Sequence, residues 1–152
     1  MSLGALKLEI QNDPANLGYA GQTAEEVLQL LTAKTRTRKR VLSSAELVAW
    51  AAGGGRMVKI EDACINASLP PEARSIAIAA KLLLDRDGTS LDLNLSDRVA
   101  FVDGLVQAGV IGVADKETLY ALATESISRL EETGIGEMHL GDVIWAMTQP
   151  GS

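Results

Sequence analysis

The most concentrated chemistry in the sequence is a group of cations between positions 34 and 40. This basic cluster holds five of the 14 basic residues of the chain: Lys34, Arg36, Arg38, Lys39 and Arg40. Cations at this density could neutralise phosphates, and arginines could also bind carboxylates through paired hydrogen bonds. No aromatic residue interleaves the cluster, and the sequence pI of about 4.8 lies far below the value of about 9 that nucleic-acid-binding domains usually exceed. We therefore expect an acidic protein partner, or a solvated helix end where cations suit the helix dipole, rather than nucleic acid.

The acidic residues predict a partner of matching sign. The first 100 residues are neutral, with 12 basic and 12 acidic side chains, whereas residues 101–152 carry two basic and eight acidic ones. The whole formal charge of −6 therefore arises in the last third of the chain. The partner is either a neighbouring protein or another copy of the chain. Head-to-tail contact between the basic cluster of one copy and the acidic end of the next would give a homo-oligomer, as a ring or an open array.

Residues that could act as nucleophiles, bases or metal ligands are few. Cys64 is the only cysteine, which excludes an internal disulfide and a cysteine-rich zinc site, and His139 is the only histidine. A Cys–His pair would depend on the fold bringing these two residues together, and the 20 acidic residues suggest no specific carboxylate pair. We predict no catalytic residue, no metal site and no cofactor, and we do not expect an enzyme.

Two loops resemble ligand-binding motifs without completing them. Asp85-Arg-Asp-Gly88 is similar to part of a calcium loop, but alignment on the glycine puts Leu83 and Asn94 in the first and last ligand positions, which predicts a turn. The run Gly53-Gly-Gly-Arg56 could hold an anion at the start of the next helix, but it lacks the ending of a phosphate-binding loop. This run, like Gly134-Ile-Gly136, is most simply the end of a helix.

The elements that must position these residues are predicted to be helices. Ser/Thr and Glu in capping-box spacing begin helices at Thr23 and Ser43, and Pro70-Pro71-Glu72 begins another that extends to about Leu84. That third helix is apolar on nearly every side, so we expect it in the middle of the fold. One helix is predicted from Ser96, another from Asp115 to the glycines at 134 and 136, and a last one over His139–Thr148. The helix from Asp115 carries one base and three acids up to Ser126, which argues against a DNA-reading helix-turn-helix.

The fold class predicted from these patterns is all-α. We expect a compact multi-helix domain of about six to eight short helices, with a C-terminal helical hairpin followed by a final helix. Residues 1–22 are predicted to form an N-terminal arm and loop, and residues 23–152 a single helical domain. No apolar run approaches the length of a membrane span, and Lys7 and Glu9 interrupt the stretch where a signal peptide would be apolar, so we expect a cytoplasmic origin without membrane contact.

Three parts of the sequence resemble a family of small proteins encoded by tailed bacteriophages and prophages. The first is the opening pattern Leu6-x-x-Glu-Ile-x-Asn-Asp-Pro-x-x-x-Gly-Tyr-Ala-Gly21, and the second is Thr35-Arg-Thr-Arg-x-Arg40. The third runs from Ser96-Asp-Arg to the stretch Ser128–Gly136 and then to Gly141-Asp-Val143. The middle of the chain, about residues 50–95, has no counterpart in this resemblance.

The resemblance implies a non-enzymatic virion structural or assembly-accessory protein associated with the tail or tail tip. It implies contacts with other virion proteins, localisation in the virion, and the host cytoplasm during assembly. For these contacts we predict the basic cluster and four residues of the arm, which are Asn12, Asp13, Pro14 and Tyr19. The alternative is a small phage regulatory or anti-defence protein that binds a host protein or nucleic acid through residues 34–40.

Overall fold

The computed structural model describes residues 2–150, of which about 62% are helical. The helices are α1 (Leu3–Asn12), α2 (Ala24–Thr32), α3 (Ser44–Ala52), α4 (Arg56–Ile65), α5 (Pro71–Asp85), α6 (Ser96–Gln107), α7 (Val113–Leu122), α8 (Arg129–Thr133) and α9 (Leu140–Thr148). The strands are β1 (Arg36–Lys39), β2 (Leu42–Ser43), β3 (Ser90–Leu91) and β4 (Thr124–Ile127). A short 3-10 turn, Gly53–Gly55, separates α3 from α4. None of the helices within residues 2–150 is long and apolar enough to cross a membrane.

The helical character predicted from the sequence is confirmed, but the fold is mostly helical rather than strictly all-α. The short strands form two sheets, in which β1 pairs with β4 and β2 pairs antiparallel with β3. In the second sheet Leu42 lies opposite Leu91, and both side chains are buried. Strands of two to four residues leave almost no alternation in the sequence, which is why the sequence did not predict them.

The chain divides into two compact units. Unit 1 contains the residues up to Arg38 together with those from Ser126 onward, and unit 2 contains Lys39–Glu125. The sequence predicted an arm and loop over residues 1–22 and one helical domain over residues 23–152, and it did not indicate that the two ends of the chain share one unit. The chain passes from one unit to the other in β1 and returns in β4. Such a crossing leaves no change in composition and is invisible in the sequence.

Unit 1 packs α1, α2, α8 and α9 around one apolar core. The largest buried side chains of this core are Leu6, Tyr19, Val27, Leu31 and Val143. The segment predicted as an N-terminal arm begins with α1, which is part of this core because Leu6 and Glu9 are buried on one of its faces. The Ser2 side chain caps the start of α1, and Asp13 ends it in a left-handed conformation.

Unit 2 contains α3 to α7 around two adjoining apolar clusters. One cluster surrounds the β2–β3 pair and includes Leu93 and Leu119, and the other includes Ile60 and Leu105. Helix α5 packs mainly against α4 and also contacts α6 and α3. It was expected in the middle of the fold, but Ile78 and Leu82 on its outer face are 45% and 60% exposed.

The helix predicted from Asp115 to about residue 133 is interrupted. Helix α7 ends at Leu122, β4 follows, and α8 begins after Ser128. Ser128 forms a capping box with Glu131, which begins a new helix at that point. Thr124 and Ile127 are β-branched residues that suit a strand, and β4 has β1 as its partner. The predicted helix beginnings at Thr23 and Ser43 are confirmed, since both capping boxes are present.

Candidate functional site

A charged network runs through the interior of unit 1. Glu9 is 6% exposed, and its carboxylate accepts hydrogen bonds from the Tyr19 hydroxyl at 3.0 Å and from Arg129 Nε and Nη2 at 2.7 and 3.0 Å. The paired bonds from a guanidinium satisfy both carboxylate oxygens, as a buried anion requires. Burial, followed by the nearby charge of Glu9, raises the pKa of Tyr19, so the phenol keeps the proton that it donates.

The network continues from Arg129 towards the surface. Arg129 Nη1 contacts Glu132 Oε2 at 2.8 Å, and the same carboxylate accepts from Arg36 Nε at 2.8 Å and Nη2 at 3.1 Å. Hydrogen bonds from Arg36 and then from Arg129 lower the pKa of Glu132 to about 2. The hydrogen bonds that Arg129 donates to Glu9 and Glu132 raise the pKa of Arg129. Glu132 therefore stays negatively charged and Arg129 positively charged at every pH near neutrality.

The residues predicted in the arm have different roles in the structure. Tyr19 was predicted to contact a partner, but its side chain is 2% exposed and its ring is part of the core of unit 1. The Asp13 carboxylate accepts from the amides of Leu17 and Gly18, both at 2.7 Å, and closes the loop after α1. Of the four predicted residues, Asn12 and Pro14 are exposed.

The first three cations of the basic cluster lie in unit 1. Lys34 Nζ is 3.9 Å from Glu131 Oε1, and Arg36 is paired with Glu132 as described above. Arg38 is exposed and also interacts with its surroundings. The hydrogen bonds to Ser128, followed by the nearby charges of Lys34 and Arg38, lower the pKa of Glu131. Acids of the same unit therefore offset much of this positive charge.

The last two cations of the cluster lie in unit 2. Lys39 Nζ donates to the Leu93 carbonyl at 3.3 Å and lies 5.8 Å from the centre of the Tyr120 ring. Arg40 pairs with Glu46, the residue that completes the capping box of α3. The hydrogen bond from Arg40, followed by that from the Ser43 amide, lowers the pKa of Glu46 to about 2. Arg40 therefore supports the start of α3.

A shallow groove of about 520 Å³ lies in unit 1 beside Lys34. Leu130 and Met138 form its apolar part, and Glu131 and His139 lie at its polar side. His139 precedes α9, and its amide donates to Asp142 Oδ2 at 2.8 Å. The groove is open and is lined by one lysine together with acids, unlike the enclosed, mostly apolar pockets that usually bind small molecules.

The two loops that resemble ligand-binding motifs make contacts within the fold. The guanidinium of Arg56 donates to Asp115 Oδ1 at 2.9 Å and to the carbonyls of Trp50 and Gly53, which ties the turn between α3 and α4 to α7. The glycines before Arg56 end α3, as predicted, and Gly54 and Gly55 have positive φ angles. Asp85 pairs with Lys81 at 3.1 Å rather than closing a calcium loop. Among residues 2–150, no group of three His, Cys, Asp or Glu side chains could hold a metal ion.

The two residues considered as a nucleophile and its base lie in different units. Cys64 belongs to α4 of unit 2 and is half-buried, and burial raises the pKa of its thiol. His139 belongs to unit 1. A raised thiol pKa opposes formation of the reactive thiolate, so Cys64 has the properties of a structural cysteine.

The sequence did not indicate the partnership of Glu9 with Arg129. One signal was available, because Arg129 is one of only two basic residues after position 100 and stands among acids. A single arginine in such a segment favours a specific ion pair over a solvated surface. Its partner, 120 positions away, could be identified only from the fold.

Comparisons with protein-family models, with curated proteins and with solved structures found no match to this chain.

Proposed function

We propose that this chain is a non-enzymatic protein of a tailed bacteriophage or prophage, a virion structural or assembly-accessory component of the tail region that acts through protein–protein contacts. It would be located in the virion and, during assembly, in the host cytoplasm. The proposal depends on the resemblance of three separate parts of the sequence to phage proteins.

One structural observation supports this resemblance most directly. The residues of the Glu9 network come from all three resembling parts: Glu9 and Tyr19 from the opening pattern, Arg36 from the second part, and Arg129 and Glu132 from the third. The network links one segment of each resembling part within or next to unit 1. Here they are physically coupled, as is expected when a shared set of residues maintains a shared fold.

The surface available for contacts is smaller than the sequence suggested. Tyr19 is buried, and Arg36 and Arg40 are held by acids of their own units. The exposed members of the predicted contact set are Asn12, Pro14, Lys34, Arg38 and Lys39. We assign the contact with a neighbouring virion protein to these exposed residues of the set and, in unit 1, to the groove beside Lys34.

The proposal is tested on particles of the phage or induced prophage that encodes the chain. Quantitative mass spectrometry of density-purified particles should find the chain in a fixed number of copies relative to the tail proteins. A wash in high salt separates a built-in component from an adsorbed one. Absence from washed particles would overturn the proposal.

The alternative regulatory function predicts the opposite pattern. The chain would be made early in infection, would be missing from particles, and would bind a host protein or nucleic acid through residues 34–40. Fluorescence anisotropy with labelled duplex DNA, compared between wild type and the Lys34→Gln/Arg38→Gln variant, tests the nucleic-acid form. We expect no salt-dependent binding, because acids of the same units already neutralise much of the cluster.

A further inference from the structure

The outer face of α5 carries an uncharged, mostly apolar stripe that is largely exposed. Ser75, Ile78 and Leu82 are exposed and Ala79 is half-buried, at spacings of three and four residues that place them on one side of the helix. An exposed leucine alone needs no explanation. A continuous stripe without a charge over about two helical turns is typical of a surface that packs against another helix.

The stripe ends in opposite charges. Glu72 lies at its beginning and Arg86, directly after the helix, at its end. Positions 72, 75, 79, 82 and 86 alternate steps of three and four residues, which is the spacing of the contact seam between paired helices. Glu72 and Arg86 are both exposed, and neither forms an ion pair within the part of the chain that the structure describes.

We propose that this face is an interface for a second copy of the chain, with the two α5 helices packed antiparallel about a two-fold axis at Ala79. Position 79 is the midpoint between 72 and 86, so this arrangement places Glu72 of each copy opposite Arg86 of the other. The interface is self-complementary, as a two-fold contact requires. Antiparallel packing also brings the positive end of each helix dipole near the negative end of the other.

The sizes of the side chains agree with this arrangement. Ala79 at the axis allows the two helices to approach closely. On either side of the axis, Leu82 of one copy lies against Ser75 of the other, so a large side chain meets a small one. Beside the stripe, a groove of about 400 Å³ between α5 and α6, lined by Phe101 and Arg98, widens the surface.

The dimensions of the helix predict a weak dimer. The 15 residues of α5 extend for roughly 22 Å, and a helix is roughly 10 Å wide, so the stripe covers on the order of a few hundred Å² per copy. Stable interfaces bury about 1,200–2,000 Å² in total. We therefore expect a dissociation constant in the micromolar range, which requires measurement over a wide range of protein concentrations.

The charge arrangement gives the sharpest test. Sedimentation equilibrium on the full chain is compared for wild type, Glu72→Arg, Arg86→Glu and the double variant with both reversals. Each single reversal places like charges opposite each other twice, and should weaken dimerisation about tenfold. The double reversal restores opposite charges and should return the affinity to near the wild-type value. Glu117→Arg, an equal charge change at an exposed position of α7, is the matched control and should have no effect.

The orientation is tested by crosslinking. In a Cys64→Ser background, Ala79→Cys should form a disulfide between copies on mild oxidation. Ser75→Cys should not, because in the antiparallel arrangement the two copies of position 75 are displaced by roughly 12 Å along the helix. Disulfides require α-carbons within about 7 Å. A parallel dimer would crosslink at both positions.

A chain that is monomeric at all concentrations, single reversals without effect, or a double reversal that fails to restore affinity would each overturn the proposal. Thermal unfolding of the charge-reversal variants should stay near that of wild type, because Glu72, Arg86 and Glu117 are exposed. The self-association is measured on the purified chain, whereas the proposed function is tested on particles. A negative result for self-association therefore does not contradict the proposed function, and a negative result on particles does not contradict the dimer.

Discussion

Glu9 and Arg129 are 120 positions apart in the chain and meet in the interior of unit 1. A buried carboxylate is tolerated only when its charge is paired and its oxygens accept hydrogen bonds, and here Arg129 and Tyr19 meet both conditions. Of these three residues, only Tyr19 was predicted from the sequence to contact a partner. In the structure their contacts are with each other, so they maintain unit 1.

Replacement of Arg129 by methionine should therefore be costly. The variant keeps much of the side-chain volume but leaves the charge of Glu9 buried without a partner, and we expect the free energy of unfolding to fall by about 3–5 kcal/mol. Urea unfolding followed by circular dichroism measures the change. Lys81→Met, which removes the exposed pairs with Glu61 and Asp85, is the control and should cost less than about 1 kcal/mol.

A double variant distinguishes the loss of this ion pair from a general loss of stability. In the Glu9→Gln/Arg129→Met variant position 9 carries no charge. The double variant should therefore recover part of the stability that Arg129→Met loses. If the double variant were as unstable as the sum of the two single variants, the two residues would not be coupled and the role given to this pair would be wrong.

At the scale of elements, Glu132 connects α8 to β1 through Arg36. Folding lowers the pKa of Glu132 from 4.5 to about 2. A carboxyl group with a lowered pKa stabilises the fold above its unfolded pKa, and this contribution is lost as the pH falls from about 4.5 towards about 2. The connection between α8 and β1 should therefore weaken in acid.

The measurement is the melting temperature of wild type and of Glu132→Gln between pH 7 and about pH 2.5. Wild type should melt at a higher temperature at pH 7, and the difference should shrink below pH 4.5 as Glu132 becomes protonated. Glu137→Gln, at an exposed position outside the network, serves as the control and should melt like wild type throughout. A difference that persists unchanged in acid would contradict the role of this ion pair.

Local signals predicted the beginnings of elements better than their pairing. The capping boxes at Thr23 and Ser43 act within four residues, and the sequence contains all of their partners. The interruption of the helix after Leu122 was missed because Leu119, Leu122 and Leu130 keep a helical spacing across it. What ends that helix is the pairing of β4 with β1, a contact between distant parts of the chain.

At the scale of the whole molecule, the sequence predicted the mostly helical class but did not indicate which helices belong to which unit. Apolar periodicity identifies which face of a helix is buried but not which helices share a core. Helix α5 illustrates the limit, because its composition suggested complete burial while its outer face is exposed. The predicted contact set had the same weakness, since a charged residue in the sequence looks the same whether its partner is internal or external.

The three apolar clusters each lie within a single unit, and this separation makes a prediction about folding. The core of unit 1 draws residues from both ends of the chain, whereas both clusters of unit 2 are formed entirely by residues between Lys39 and Glu125. A contiguous segment with its own core can in principle fold alone.

We therefore expect the fragment 39–125, expressed by itself, to unfold cooperatively with heat and to be mostly helical by circular dichroism. The same fragment with Leu93→Asp, which puts a charge into the buried β2–β3 cluster, should lose that transition. A fragment that shows no cooperative transition even without the substitution would mean that unit 2 depends on the rest of the chain for its stability.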